Sequence, residues 1–261
     1  MVQFTPSYFS KRSGFVINQL SGGGCEHMGN FPTFPVKGKL KMSPDNILNY
    51  RINISEEKGH AGYYEAKVQE DIHAKLTVTE RTGMASYEYP ADQQYGTVII
   101  GGGISATPIE QAAIVITAPN KCEGYAEGGN FCGLRTPYKV YFVAEFDTDA
   151  LESGTWKRNE LKPNTTFAEG EYSGVYFTFD VDKKKNVQYK IGVSYVSVEN
   201  ARENLKAENT GWDFLQIQNQ AESKWNHYLG KIEVEGTNPD RTTQFYTICI
   251  VHSFTRTYAV M

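Results

Sequence analysis

Residues 186–208 read NVQYKIGVSYVSVENARENLKAE, and the apolar rhythm changes within them. Val187, Tyr189, Ile191, Val193 and Tyr195 occupy alternate positions, the period of a strand with one buried face. From Ser197 onward the spacing lengthens: Val198, Ala201 and Leu205 share one side of a helix. Working back toward the N-terminus, the same period of two dominates from about residue 60 to 196. Val175, Phe177, Phe179 and Val181 alternate, as do Val140, Phe142, Ala144 and Phe146, Leu76 and Val78, and Tyr64, Ala66 and Val68. Turn signals (PADQQYG, APNK, DKKKN) separate these runs at sandwich spacing. No helical period interrupts them, which disfavours a βαβ architecture. The expected fold class is mainly β: an antiparallel β-sandwich over residues 1–196, then helices over 197–261.

In the C-terminal part, Phe214, Ile217, Ala221, Trp225 and Leu229 form a second helical stripe. Asp213 is placed to cap its start and Gly230 to close it. KIEVEG (231–236) reads as a short strand. Pro239 then sits where the first turn of another helix tolerates it. That helix, about 239–256, carries Phe245, Ile248, Cys249, Val251 and His252. Its apolar residues spread around much of the circumference, as in a helix buried among others, and those neighbours are expected beyond this chain.

The composition agrees with a β-rich chain: 13 % of the 261 residues are aromatic, with 17 Tyr and 14 Phe. A net charge of −4, with no stripe of Lys and Arg, argues against a nucleic-acid partner. No run of about 18 apolar residues is present to span a membrane. The N-terminus lacks the regions of a signal peptide and begins directly in strand-like alternation, as if the chain had been cut there. The four cysteines, Cys25, Cys122, Cys132 and Cys249, form no CxxC pair, so no structural zinc is expected. Cys122 and Cys132 either face each other across a hairpin or are free buried thiols, the second being preferred.

Several motifs compete for a chemical role. VIIGGGISA (98–106) matches G-x-G-x-x-A at Gly101, Gly103 and Ala106, but a dinucleotide site needs a helix there. Pro108 and the early return to strand at AIVIT leave no room for one, so the run is read as a turn or bulge. The five histidines show no HxxxH or HExxH spacing, and no metal ligands are expected. His27 with Glu26, or His73 with Asp71, would suit a sugar-ring-opening acid–base pair; hydrogen-bonded loop histidines are the preferred reading. No pair among the 30 acidic residues is marked as the two carboxyls of a glycosidase. Asn53 and Asn164 open N-glycosylation sequons. Trp156 is placed at a strand end or loop, where an exposed ring stacks on sugars. Trp212 and Trp225 are expected to pack helices onto the sandwich.

Taken together, MVQFTP, LSGGGCEHMGNFP, HAGYYEAKV, AKLTVTERTGMASYEYP, YKVYFVAEFD, IGVSYVSVENARENLKAENTGWDF and WNHYLGKIEVEGTNPDRTTQFYT resemble the N-terminal domain of family 92 glycoside hydrolases. These are the bacterial exo-acting α-mannosidases. The resemblance implies a mutarotase-like sandwich joined by two linker helices to an (α/α)6 barrel. It also implies an inverting, calcium-dependent enzyme whose ion and catalytic carboxyls lie on the barrel side. This chain is then expected to carry no catalytic residue, no metal ligand and no cofactor of its own. GGGCEHMGN (22–30) resembles the family's Gly-Cys pocket loop, and GGNFCG (128–133) a second one. Cys25, Glu26, His27, Asn30 and Phe131 are accordingly the expected substrate-binding residues. The implied partners are mannose-containing glycans and the missing C-terminal barrel, and the implied location is secreted, periplasmic or cell-surface. The Gly-Trp-Asp-Gly-Cys pattern of many α-1,2-specific members is absent. A self-standing carbohydrate-binding or structural sandwich is the alternative.

Overall fold

Alternating apolar positions become the inner faces of two sheets in the computed structural model, which describes residues 5–6, 14–18, 28–44, 54–103, 108–236 and 238–257. The strands run Thr5–Pro6 (β1), Phe15–Val16 (β2), Thr33–Lys37 (β3), Ile54–His60 (β4), Tyr63–Val68 (β5), Ile72–Val78 (β6), Thr82–Glu88 (β7) and Tyr95–Gly101 (β8). They continue with Ile109–Ala118 (β9), Lys121–Phe131 (β10), Leu134–Phe146 (β11), Glu152–Lys157 (β12), Glu160–Pro163 (β13), Phe167–Glu169 (β14), Ser173–Asp180 (β15) and Asn186–Ser194 (β16). Helices Val198–Glu208 (α1), Phe214–Leu229 (α2) and Pro239–Thr257 (α3) follow. One sheet has the order β1-β2-β3-β8-β15-β12-β13 and the other β14-β9-β10-β11-β16-β7-β6-β5-β4. Neighbouring strands are antiparallel, and the chain is mainly β.

The stripes meet in one core between the sheets. At its centre the Phe146 ring lies 4.9, 5.0 and 5.4 Å from those of Phe177, Phe179 and Tyr189, distances at which aromatic edges and faces attract. The outermost strand β4 is almost wholly exposed and carries Glu56, Glu57 and Lys58, charges that discourage pairing with another chain.

The central strands β16 and β7 are buried on both faces, as is β11 around Phe142, Val143 and Ala144. Phe142, Tyr189 and Tyr87 point into the core, while Val143 and Met84 meet the helices on the outer face. Helix α1 is capped by Ser197, whose side chain accepts from the Asn200 N–H. It lays Ala201 and Leu205 on Val143. Gly192 of β16 lies beneath it: an added Cβ would stand 2.5 Å from the Ala201 carbonyl oxygen and 2.9 Å from Leu205 Cβ. Helix α2, capped by Asp213 through the Gln216 N–H, lays Phe214 and Ile217 on Met84. Between the two helices, the amine of the buried Lys190 donates to the Asn209 carbonyl at 3.1 Å and lies 4.4 Å from the Trp212 ring centre. Trp212 and Trp225 thus pack the helices as expected.

The end of α1 is fastened to the β6–β7 turn. Glu208 accepts from the Thr79 hydroxyl (2.5 Å), the Arg81 N–H (2.9 Å) and the Arg81 Nε (2.5 Å). Burial pushes its carboxyl pKa up, but these donors outweigh burial and hold it below the ordinary 4.5.

KIEVEG is not a strand: residues 231–236 are irregular and belong to neither sheet among the described residues. Trp156 is not exposed but 1 % accessible, within β12. Its cross-strand partner is Gly174, whose missing Cβ leaves room for the indole to fold inward. The glycine run ends β8, and β9 begins at Ile109 with no dinucleotide-type helix in the described residues between them.

Replacing Gly192 by Val should lower unfolding stability by about 1–3 kcal/mol in urea titrations, through overpacking against α1. Glu208→Gln should also destabilise at neutral pH. A carboxyl with a depressed folded pKa stabilises above its unfolded pKa and loses that contribution as pH falls through the folded value. The difference between Glu208→Gln and the parent should therefore shrink on acidification below 4.5, as read by urea midpoints across pH.

Candidate functional site

Of the expected sugar contacts, Cys25, Glu26 and His27 lie outside the described residues, as does the side chain of Phe131. Asn30 is described, and its surroundings are specific. The segment after β2 and the segment before β3 run side by side, with the Ile17 N–H donating to the Asn30 carbonyl at 3.3 Å. The Asn30 N–H donates to Asn18 Oδ1 (2.8 Å), and Asn18 Nδ2 returns a bond to Asn30 Oδ1 (3.1 Å). From the facing sheet, the Tyr138 hydroxyl donates to the same Oδ1 at 2.9 Å.

Two donors converging on one atom fix which end of the Asn30 amide is oxygen. Its Nδ2 is then left buried with no partner among the described residues. An unspent buried donor costs roughly 1–3 kcal/mol, so Asn30 holds a hydrogen bond in reserve. Tyr195 closes the group from just beyond β16. Its hydroxyl accepts from Asn18 Nδ2 at 3.4 Å and lies 3.7 Å from Met28 Sδ. Burial around that hydroxyl raises its pKa, partly offset by the Asn18 bond.

Left-handed backbone shapes both loops. Met28, Gly29 and Phe31 have φ of 58°, 73° and 53°. The turn sends the Phe31 ring inward, 4.3 Å from Phe142. At the β10–β11 tip, Cys132 and Gly133 have φ of 52° and 82°, the pair of positive angles a type I′ turn requires. Asn130 Oδ1 accepts from the Gly133 N–H at 3.0 Å. The strand register slips between Gly128 and Asn130, and Gly129 has no room for a Cβ beside the Thr136 carbonyl.

Cys132 is disulfide-bonded, whereas Cys122 and Cys249 are free. The free-thiol reading therefore holds for Cys122 and fails for Cys132. They cannot face each other, because both lie along β10, Cys122 near its start and Cys132 just past its end. Burial pushes the Cys122 thiol up. His73 lies 3.6 Å from Glu65, while Asp71 pairs with Lys37 at 2.6 Å, so no acid–base pair forms between His73 and Asp71. Among the described residues no group of three or more His, Cys, Asp or Glu is placed to hold a metal ion.

Residues 7–194, ending with β16, match the glycosyl hydrolase family 92 N-terminal domain. The chain belongs to this family. Residues 200–257 match the family 92 catalytic domain, the segment formed by the three helices. The similar solved structures include a family 92 glycosyl hydrolase, named ccman5, at 21 % identity over 92 % of this chain and 34 % of that one, with a TM-score of 0.80. Another is a family 92 α-mannosidase from Bacteroides thetaiotaomicron, at 24 % identity over 85 % of this chain and 32 % of that one, with a TM-score of 0.74. A curated relative, an uncharacterized secreted glycosidase from Arthroderma benhamiae, is 25 % identical over 87 % of this chain and 32 % of its own length. This family 92 chain thus spans about a third of the relatives it matches.

Sequence reading missed Asn18, Tyr138 and Tyr195 as members of the site. The tyrosines had a signal: each is the end member of an inward stripe, in step with Val140 and with Val193 respectively. A stripe that ends in a hydroxyl at the sheet's rim marks where the core gives way to polar contacts.

Asn30→Ala should cost about 1–3 kcal/mol, because it strands Tyr138 and Asn18 together, and Tyr138→Phe about 0.5–1.5 kcal/mol. Because the two variants remove one shared bond, the double variant should fall short of their sum. Urea unfolding of the three proteins checks both points.

Proposed function

We propose that this chain is the sandwich part of an exo-acting α-mannosidase. In this reading the Asn30 loop and the β10–β11 tip border a pocket for a terminal α-linked mannose. The observation that carries it is the state of α3. This helix lies within the match to the catalytic domain, yet Ile248 is 67 % exposed and Phe245, Cys249 and Ile250 are only half-buried. A bond from the Tyr246 hydroxyl to the Ile232 carbonyl (3.2 Å) ties it to the segment after α2. A helix of that composition has its packing partners in further helices, as a catalytic barrel would provide.

The division of labour follows from the chemistry. Inverting glycosidases need two carboxyl groups about 6.5–9.5 Å apart, one as acid and one as base for water. This reading assigns both to the barrel, together with the calcium ion. The sandwich contributes orientation. Asn30 is fully buried, so in this reading its Nδ2 supports the pocket from beneath and the loop above it, not Asn30 itself, presents groups to the sugar. Cys25, Glu26, His27 and Phe131 are assigned to the same rim. A related α-mannosidase from Bacteroides thetaiotaomicron has been solved with mannoimidazole, which supports the choice of mannose.

The purified chain should release no mannose from aryl α-mannosides, with or without calcium. It should bind methyl α-mannoside only at millimolar levels, since each missing partner bond is worth about 1–3 kcal/mol and about 1.4 kcal/mol is tenfold. Phe131→Ala should weaken that binding further. Calcium-stimulated mannose release by this chain would overturn the assignment of chemistry to the barrel. Micromolar affinity in calorimetry would instead favour a self-standing carbohydrate-binding module.

A further inference from the structure

A cavity of about 390 Å3 opens between the β6–β7 turn and helices α1 and α2, sharing no residue with the Asn30 cluster. Its shape follows from how the helices are held. Glu208 pins the end of α1 to Arg81. Ala221 seats α2 so closely over Gly62 that a Cβ there would stand 2.9 Å from the Ala221 Cβ. Between these two fixed points the helices diverge and leave a recess, in the lower part of the size range of small-molecule sites.

The lining is mixed in a particular way. Trp225 is buried at its floor, and Tyr228, 49 % exposed, stands at its rim. The charges come in pairs, Arg81 with Glu208 and Lys224 with Glu80, so the recess carries no net charge. Arg81 uses its Nε for Glu208, which leaves its terminal NH2 groups as donors, and the Gln220 side chain faces the same space. Ion-paired side chains and an amide both donate and accept, which suits hydroxyl groups that do the same. Neutralised charges disfavour an anion or a cation; the Lys231 amine lies over one face of the Tyr228 ring at 4.9 Å, which leaves the other for an apolar CH patch.

We propose that this recess is a second carbohydrate-binding site, taking one neutral pyranose unit stacked on Tyr228, with its hydroxyls on the Arg81–Glu208 pair and Gln220. It is independent of the pocket assigned above.

The test is a titration of the 15N-labelled chain with methyl α-D-mannopyranoside, methyl α-D-glucopyranoside and sodium acetate. Saturable shifts of the Gln220 side-chain amide and the Trp225 indole N–H with at least one sugar, and none with acetate, are expected. Tyr228→Ala removes only a rim residue, so its melting temperature should match the parent, while sugar affinity at these probes should fall on the order of tenfold. The Asn30 side-chain amide reports the first pocket separately, and the Gln220 and Trp225 shifts should persist in Asn30→Ala. Absence of saturable shifts at Gln220 and Trp225, an equal response to acetate, or an unchanged affinity in Tyr228→Ala would overturn the proposal.

Discussion

At Gly192 the backbone of helix α1 comes so near the nine-stranded sheet that no side chain fits between them. That contact sets the spacing of everything outside the sandwich. With α1 seated on β16, its far end reaches the β6–β7 turn, where Glu208 fastens it. The start of α2 then falls over Met84. Burying the central strands on both faces also explains why β7 and β16 read as nearly continuous buried runs, although antiparallel strands usually keep one face wet.

Most of this was legible because it is periodic. Val187 to Val193 and Val140 to Phe146 announced their inward faces, and the switch at Ser197 announced the helices, because strand and helix periods differ by nearly a factor of two. What stayed hidden depends on partners distant in sequence. Nothing near Trp156 discloses that Gly174 lies opposite and opens space for it. KIEVEG alternates as a strand does, but alternation supplies no neighbour to pair with. The Asn30 site joins positions 18, 30, 138 and 195 from both sheets, and only Asn30 was visible beforehand, through the resemblance rather than through any pattern.

The same cluster clarifies what the sandwich brings to its proposed pocket. A loop backed by a hydrogen-bonded lattice needs no reorganisation when a sugar arrives. Asn18 and Tyr138 spend their own bonds to hold the Asn30 amide in one orientation. The core beneath is equally fixed, since Phe31, next in sequence, is locked against Phe142. The loop therefore rests on rigid strands rather than on its own preferences.

Lys190 has a consequence for how the two regions of the chain are joined electrically. Its amine lies beneath the last turn of α1, donating to the carbonyl of Asn209, the residue that caps that helix, where the partial negative charge of the helix dipole gathers. Burial draws its pKa down, and Glu145 partly restores it. Because the cation sits within the sheet rather than in water, dissolved ions have little access to it. The Arg81–Glu208 fastening at the surface should weaken as ionic strength rises, while the Lys190 junction keeps its strength. The seam between sandwich and helices is thus salt-tolerant at its centre and salt-sensitive at its margin.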